Sequence, residues 1–347
     1  MSQVYELNTD IPAAYATDER RAIQEMAREF AMNEVLPIAN ELDPEKGIIP
    51  DDLRKKMGEL GFFGIMLPEE FGGLGLGVFE YCLVTEELSR AWMSVASIIA
   101  RATFVGVGDL PIEDQDERLR QMARGEFLGS FAMSEPGAGS DIASIRCRAE
   151  LDGDEWVING QKMWVTFADG SDFIVLVART QPYDPTSRHA GIKQFYIPKE
   201  KGSFPEGISG TPMRKIGYHG WKTWELSFDN YRIPKEYIIG KNKSSEDDQE
   251  GFKKTARWMA VPRVHTAARA IGLARGAVED CITYAQERIQ FDQPISDFQA
   301  IRFKIATMAT EVEASRALMY SVANDADLGV MRAREAAMCK LFASDMA

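Results

Sequence analysis

The stretch FAMSEPGAGSDIASIRCRAELDGDEWVINGQKMWVT, residues 131–166, is where the chain changes character. Before about residue 125 apolar residues recur at helical spacing, and from Gly129 they alternate as on a half-buried strand. A loop of small and hydroxyl residues, Ser134 to Asp141, leads into this region. Within EWVINGQKMWVT (155–166) the dipeptide Asn159-Gly160 carries the signature of a two-residue hairpin turn. Further on, DFIVLVART (172–180) predicts a fully buried strand, and KQFYIP (193–198) alternates. TWELSFDNYRIP (223–234) places Trp224, Leu226 and Phe228 on one face.

On either side the pattern is helical. Thr17 before DERR predicts an N-cap with first-turn acids, followed by the stripe Ile23, Met26, Ala27, Phe30 and Ala31. More helices are predicted near 51–60, 79–90, 92–107 and 115–124. After the polar linker KNKSSEDDQE (241–250), three long helical pieces follow. In one of them Ile301, Ile305, Met308, Val312, Ser315, Met319 and Val322 recur at spacings of four and three, a bundle seam. The expected fold class is therefore α+β and multidomain: an N-terminal α-helical domain (1–128), a central β-domain (129–240) and a C-terminal helical bundle (241–347).

Composition narrows the function. A net charge of −13 argues against a nucleic-acid surface but leaves room for a small anion held by local arginines. No apolar run reaches the ~18 residues of a membrane span. The opening MSQVYELNTDIPAAY lacks the basic and apolar regions of a targeting peptide, which predicts a cytoplasmic protein. Four scattered cysteines and three histidines without ligand spacing predict buried thiols and no metal site. HExxH, P-loop and G-x-S-x-G patterns are absent, which removes zinc-protease, NTPase and α/β-hydrolase readings.

Three clusters remain. In the 134–141 loop, Gly137 and Gly139 permit torsions and close approach that a Cβ forbids, and successive N–H groups there form an anion-binding concavity. A tight capped turn explains the same residues equally well. Trp164 and Thr166, two apart on a strand, share one side and suit a flat heteroaromatic ligand, or simply a β-core indole. Arg288, at a helix end before Asp292-Gln293-Pro294, is suited either to a helix dipole or to a pyrophosphate.

Taken in order, LPEEFGGLGLG (67–77), residues 133–166, KIGYHGWKTWELSFDNYRIP (215–234) and ERIQFDQPISDFQAIRFKIATMA (287–309) resemble the acyl-CoA dehydrogenase family across essentially the whole chain. The resemblance implies FAD, with Phe131, Met133, Ser134, Gly139 and Ser140 lining the flavin and Trp164 and Thr166 lying against its ring and edge. It implies that Arg288, Phe291 and Gln299 hold the FAD of a neighbouring subunit, hence at least a homodimer and usually a homotetramer. Ser140 and Arg263 match substrate-binding positions, and Arg90, in a comparable R-x-x-MSV context, matches a position that holds the distal carboxylate of dicarboxylyl-CoA substrates.

The implied reaction is α,β-dehydrogenation of an acyl-CoA to the trans-2-enoyl-CoA. A carboxylate removes the α-proton, the flavin accepts the β-hydride, and an electron-transfer flavoprotein takes the electrons. The family's usual base is a Glu expected beyond Ala347, and the alternative position for it is occupied here by Pro262. No residue of the sequence is therefore assigned as catalytic. Two other readings stand beside this one: a flavin-binding or interaction protein of the same fold, and an acyl-CoA oxidase.

Overall fold

The computed structural model describes residue 7 and residues 9–102, 111–240 and 258–347. Its helices are α1 (Asp18–Phe30), α2 (Leu36–Leu42), α3 (Asp51–Glu59), α4 (Val78–Ile98), α5 (Gln115–Ala123), α6 (Ala260–Glu287), α7 (Gln299–Asp327) and α8 (Ala333–Met346). Its strands are β1 (Gly129–Ala132), β2 (Arg148–Asp152), β3 (Glu155–Thr166), β4 (Phe173–Arg179), β5 (Ile192–Pro198), β6 (Ile208–Pro212), β7 (Thr223–Pro234), β8 (Ile289–Gln290) and β9 (Gln293–Pro294). Two compact units result: Met1–Glu41 with Leu76–Ile98 and Met259–Ala347, and Leu42–Gly75 with Ile99–Trp258. The linker predicted at 241–250, and residues 103–107 of a predicted helix, lie outside the described residues.

In the helical unit, Thr17 caps α1 as predicted, accepting from the Arg20 N–H at 3.1 Å. Helices α4 and α6 approach so closely that a Cβ on Gly272 would stand 2.2 Å from the Glu86 carbonyl oxygen, and one on Gly276 2.9 Å from that of Arg90. Their interface is charged as well as apolar. Arg275 of α6 donates to Glu86 at 2.9 Å and to Glu87 at 3.0 Å, Arg316 of α7 donates to Glu86 at 3.1 Å, and all four side chains are buried. The predicted seam on α7 buries Val312, Ser315, Met319 and Val322, while Ile301, Ile305 and Met308 are only partly covered.

In the β unit the sheet order is β1-β4-β2-β3-β7-β6, with β5 paired to β4. Every residue of β4 is buried, as its unbroken apolar run predicts. The hairpin expected at Asn159-Gly160 is not there. Residues 155–166 form one strand, and Asn159-Gly160 is an irregularity in its register with β7. Gly160 has φ +142°, and a Cβ on it would meet the Cys147 Cα at 2.7 Å, so this glycine serves a close strand crossing. The turn itself joins β2 to β3 at Gly153-Asp154, with Gly153 at φ +64°. Among the described residues no helix is long and apolar enough to cross a membrane, and no His/Cys/Asp/Glu group is placed to hold a metal. Cys82, Cys147 and Cys339 are buried as expected, but Cys281 is exposed.

Candidate functional site

The 134–141 loop leaves β1 and folds back on itself. Glu135 and Ala138 exchange backbone hydrogen bonds at 2.8 and 3.1 Å, closing a tight turn over Pro136-Gly137. The loop is then tied to β3, where the Met163 N–H donates to the Ser134 carbonyl at 2.8 Å. Arg188 secures the far end, donating to Ser144 Oγ at 2.8 Å and pairing with Asp141.

Where β3 meets this loop its register slips: Lys162 pairs with Leu226 but Val165 with Trp224, so Met163 and Trp164 together oppose the single residue Glu225. The bulge puts Lys162 and Val165 on the buried face although they are three apart. Trp164 is driven to φ +61° and turned outward, 56% exposed. Its indole makes no ring contact or hydrogen bond with any described residue. A left-handed tryptophan is strained by roughly 1–2 kcal/mol, and an exposed indole held that way is the mark of a site rather than of a core. Thr166 faces the same side, as the i, i+2 spacing predicts, with its hydroxyl 3.5 Å from that of Thr223.

The structure thus brings together Phe131, Met133, Ser134, Trp164 and Thr166. Phe131 is half-buried, its ring 4.9 Å from that of Trp258, and with Met133 it packs over Ala138, Ile145, Val177 and Ile192. Ser140 is exposed beyond Gly139, and the hydroxyls of Ser134 and Ser140 have no partner among the described residues. The expected torsional role of the two glycines is not borne out, since neither Gly137 nor Gly139 has positive φ. What they provide is room, for a Cβ on either meets nothing within 4 Å. These donors, the open loop and the outward indole fit a planar heteroaromatic group with phosphates attached. A 660 Å³ cavity lined by Glu135, Gly137, Arg146, Cys147 and Gly160 adjoins the loop. Burial pushes the Cys147 thiol up to about 11, so it is no nucleophile.

The other predicted residues belong to the helical unit. Arg288 is the C-cap of α6, and Phe291 lies in the β8–β9 turn at φ +51° and 89% exposed. Gln299 opens α7, and all three are exposed around one helix–turn–helix corner. Pro262 sits in the first turn of α6, where its missing N–H leaves no gap in the ladder. Arg263 follows it, half-exposed, its side chain with no hydrogen bond or ion pair among the described residues. Arg90 lies on α4, where its Nε donates to Glu279 at 2.6 Å in an ion pair between α4 and α6. Glu135, Lys162 and Trp258 escaped the sequence reading. Only Lys162 left a trace, as a charged residue at a strand position whose neighbours on that face are apolar.

Comparison with known proteins matches three consecutive descriptions. They are the N-terminal domain of acyl-CoA dehydrogenases over residues 17–130, the middle domain over 130–231 and the C-terminal domain over 249–347. A 3-(aryl)acrylate reductase of Clostridium sporogenes is 36% identical over 340 residues, 96% of this chain and 86% of its own. A benzylmalonyl-CoA dehydrogenase of Aromatoleum aromaticum is 38% identical over 336 residues, covering 95% and 85% of the two chains. The solved glutaryl-CoA dehydrogenase–glutaryl-CoA complex superposes with a TM-score of 0.85 at 32% identity, over 97% of this chain and 84% of that one.

Proposed function

The chain belongs to the acyl-CoA dehydrogenase family and is an FAD-dependent oxidoreductase; from that premise we propose that it converts an acyl-CoA thioester to its trans-2-enoyl-CoA, with FAD seated on the 131–166 surface. The observation that carries the reading is Trp164, an unpartnered indole held outward by a strained bulge beside an open glycine loop. When bound, FAD supplies the acceptor for the substrate's β-hydrogen.

The chain's own residues do the rest. Trp164 offers a face for the ring system and Thr166 a hydroxyl for its edge. Ser134 and Ser140 donate hydroxyl hydrogens, and Gly139 keeps the loop low enough for close approach. Phe131 and Met133 give the site an apolar floor that excludes water, which raises the strength of each hydrogen bond made there. Ser140 and the unpaired Arg263 are assigned to the CoA moiety. Arg288, Phe291 and Gln299, exposed together, are assigned to the FAD of a second subunit, giving at least a homodimer and, by family habit, a homotetramer. An electron-transfer flavoprotein is the proposed electron acceptor.

The relatives named for benzylmalonyl-CoA and glutaryl-CoA favour a short, branched or dicarboxylyl acyl group. The test is an absorbance spectrum of the purified protein with FAD, before and after butyryl-, isobutyryl-, glutaryl-, benzylmalonyl- and 3-phenylpropionyl-CoA. Bleaching of the flavin band by a member of the panel supports the reading. Protein that stays colourless with added FAD refutes it.

A further inference from the structure

Lys162 is fully buried, and a buried ammonium is unfavourable unless it is paired and hydrogen-bonded. Its partners are specific. Nζ donates to the Met133 carbonyl at 2.9 Å and to Glu135 Oε1 at 2.8 Å. The same carboxylate accepts the Cys147 N–H at 2.9 Å on Oε1 and the Arg146 N–H at 2.6 Å on Oε2. One ammonium on β3 thus grips the carbonyl before Ser134 and the side chain after it, while the next N–H along, that of Met163, donates to Ser134 itself. Trp164 follows directly on the same bulge.

We infer that Lys162, with Glu135 as its counter-charge, is the positioning residue of the cofactor pocket, fixing the Ser134 loop and the Trp164 bulge relative to each other; this rests on the FAD reading above. Lys162 is sealed in the interior, while Glu135 edges the cavity that adjoins the loop. The loop and bulge backbones are joined by this ion pair and by the Met163–Ser134 bond, so losing the pair loosens each against the other. A displacement of about 1 Å in a site of this kind is commonly worth tenfold to a hundredfold.

The pair would also stabilise the fold, and the two roles separate experimentally. Lys162→Met leaves Glu135 buried without its counter-charge and lowers the stability of the apoprotein. The double variant K162M/E135Q removes both charges, and a buried pair replaced as a whole is often neutral, so apoprotein stability returns toward wild type. The loop still lacks its Lys162 anchor. FAD titrations of the full-length apoproteins, followed by flavin fluorescence quenching and the resolution of the visible band, are expected to show binding weakened by about ten- to a hundredfold in K162M and in the double variant alike. If either variant binds FAD as wild type does, or if affinity recovers together with stability in the double variant, the pair is merely structural and the inference fails. Wild-type apoprotein that takes up no FAD overturns the proposed function instead, and this inference with it.

Discussion

Replacing single glycines with alanine separates what holds this β unit together from what makes room for a ligand. At Gly160 two penalties add. A residue with a Cβ at φ +142° is strained by about 1–3 kcal/mol. The new methyl would also stand 2.7 Å from the Cys147 Cα and 2.9 Å from its Cβ. The first of these is backbone in a buried strand crossing and cannot swing aside, so overpacking contributes a further ~1–3 kcal/mol. With partial relaxation, Gly160→Ala is expected to lower the unfolding free energy by about 2–5 kcal/mol. At Gly139 the same chemical change meets nothing within 4 Å and no positive φ. There the alanine restricts the unfolded chain and stabilises by up to about 1 kcal/mol. Its methyl nevertheless enters the space assigned to the ligand, and FAD affinity is expected to drop at least about tenfold, roughly 1.4 kcal/mol. Urea unfolding of the apoproteins by tryptophan fluorescence, paired with FAD titration, reads both quantities. A G160A variant within ~1 kcal/mol of wild type refutes the crossing argument; a G139A variant with wild-type affinity refutes the cradle.

Three further outcomes are expected. Trp164→Gly relieves the left-handed strain and leaves the apoprotein as stable as wild type or up to about 1–2 kcal/mol more so, while FAD binding is lost; equal weakening of fold and binding in the same titrations contradicts a site role. Arg275→Met takes from buried Glu86 and Glu87 the cation they share, leaving Arg316 on the one and Arg28 on the other, and is expected to destabilise by about 3 kcal/mol in urea unfolding, against under 1 for an exposed control such as Arg334→Met. Burial pulls Lys199 down from 10.5 to about 8 while it donates to the Asp169 and Ser171 carbonyls. The unfolded chain then binds the extra proton between about pH 8 and 10.5, so this lysine's contribution to stability rises with pH across that window. Lys199→Met is expected to flatten that slope, and an unchanged slope counts against it.

How far the sequence carried this depends on whether the backbone is regular. Strand β4 was legible because a strand buried on both faces needs only an apolar run, and α7 because half of its seam is buried as spaced. Asn159-Gly160 misled because a turn signature specifies torsions, and Gly160 uses its freedom to let Cys147 pass close by rather than to turn the chain. The true turn, Gly153-Asp154, carried a two-residue turn signature of its own at the start of the same strand. Arg90 shows another limit: a local context cannot say that Glu279, 189 residues downstream, pairs with the side chain. Lys162 and Glu135 were invisible as partners because their pairing depends on the bulge, which no local rule announces.

That bulge also explains why the candidate site sits where it does. Strict alternation from Lys162, whose side chain points into the core, would put Trp164 and Thr166 inward with it and Val165 outward. One inserted residue reverses this: Val165 becomes buried, and Trp164 and Thr166 reach the open side together. The inward lysine is then no accident of packing. A bulge forfeits ladder hydrogen bonds and holds Trp164 in an unfavourable torsion, so something must over-determine it. The Met163 N–H bond to Ser134 and the Lys162–Glu135 pair are the interactions here able to do so, and both end on the glycine loop. Loop and bulge are therefore one structural element, and a variant that regularises the strand by deleting Met163 keeps Trp164 outward by alternation but removes its left-handed torsion and the bond to Ser134, so FAD binding is expected to weaken while the indole stays exposed. FAD affinity lowered at least about tenfold, in a protein that still unfolds cooperatively and whose indole stays open to acrylamide, is the result the tie between loop and bulge requires; wild-type affinity contradicts it.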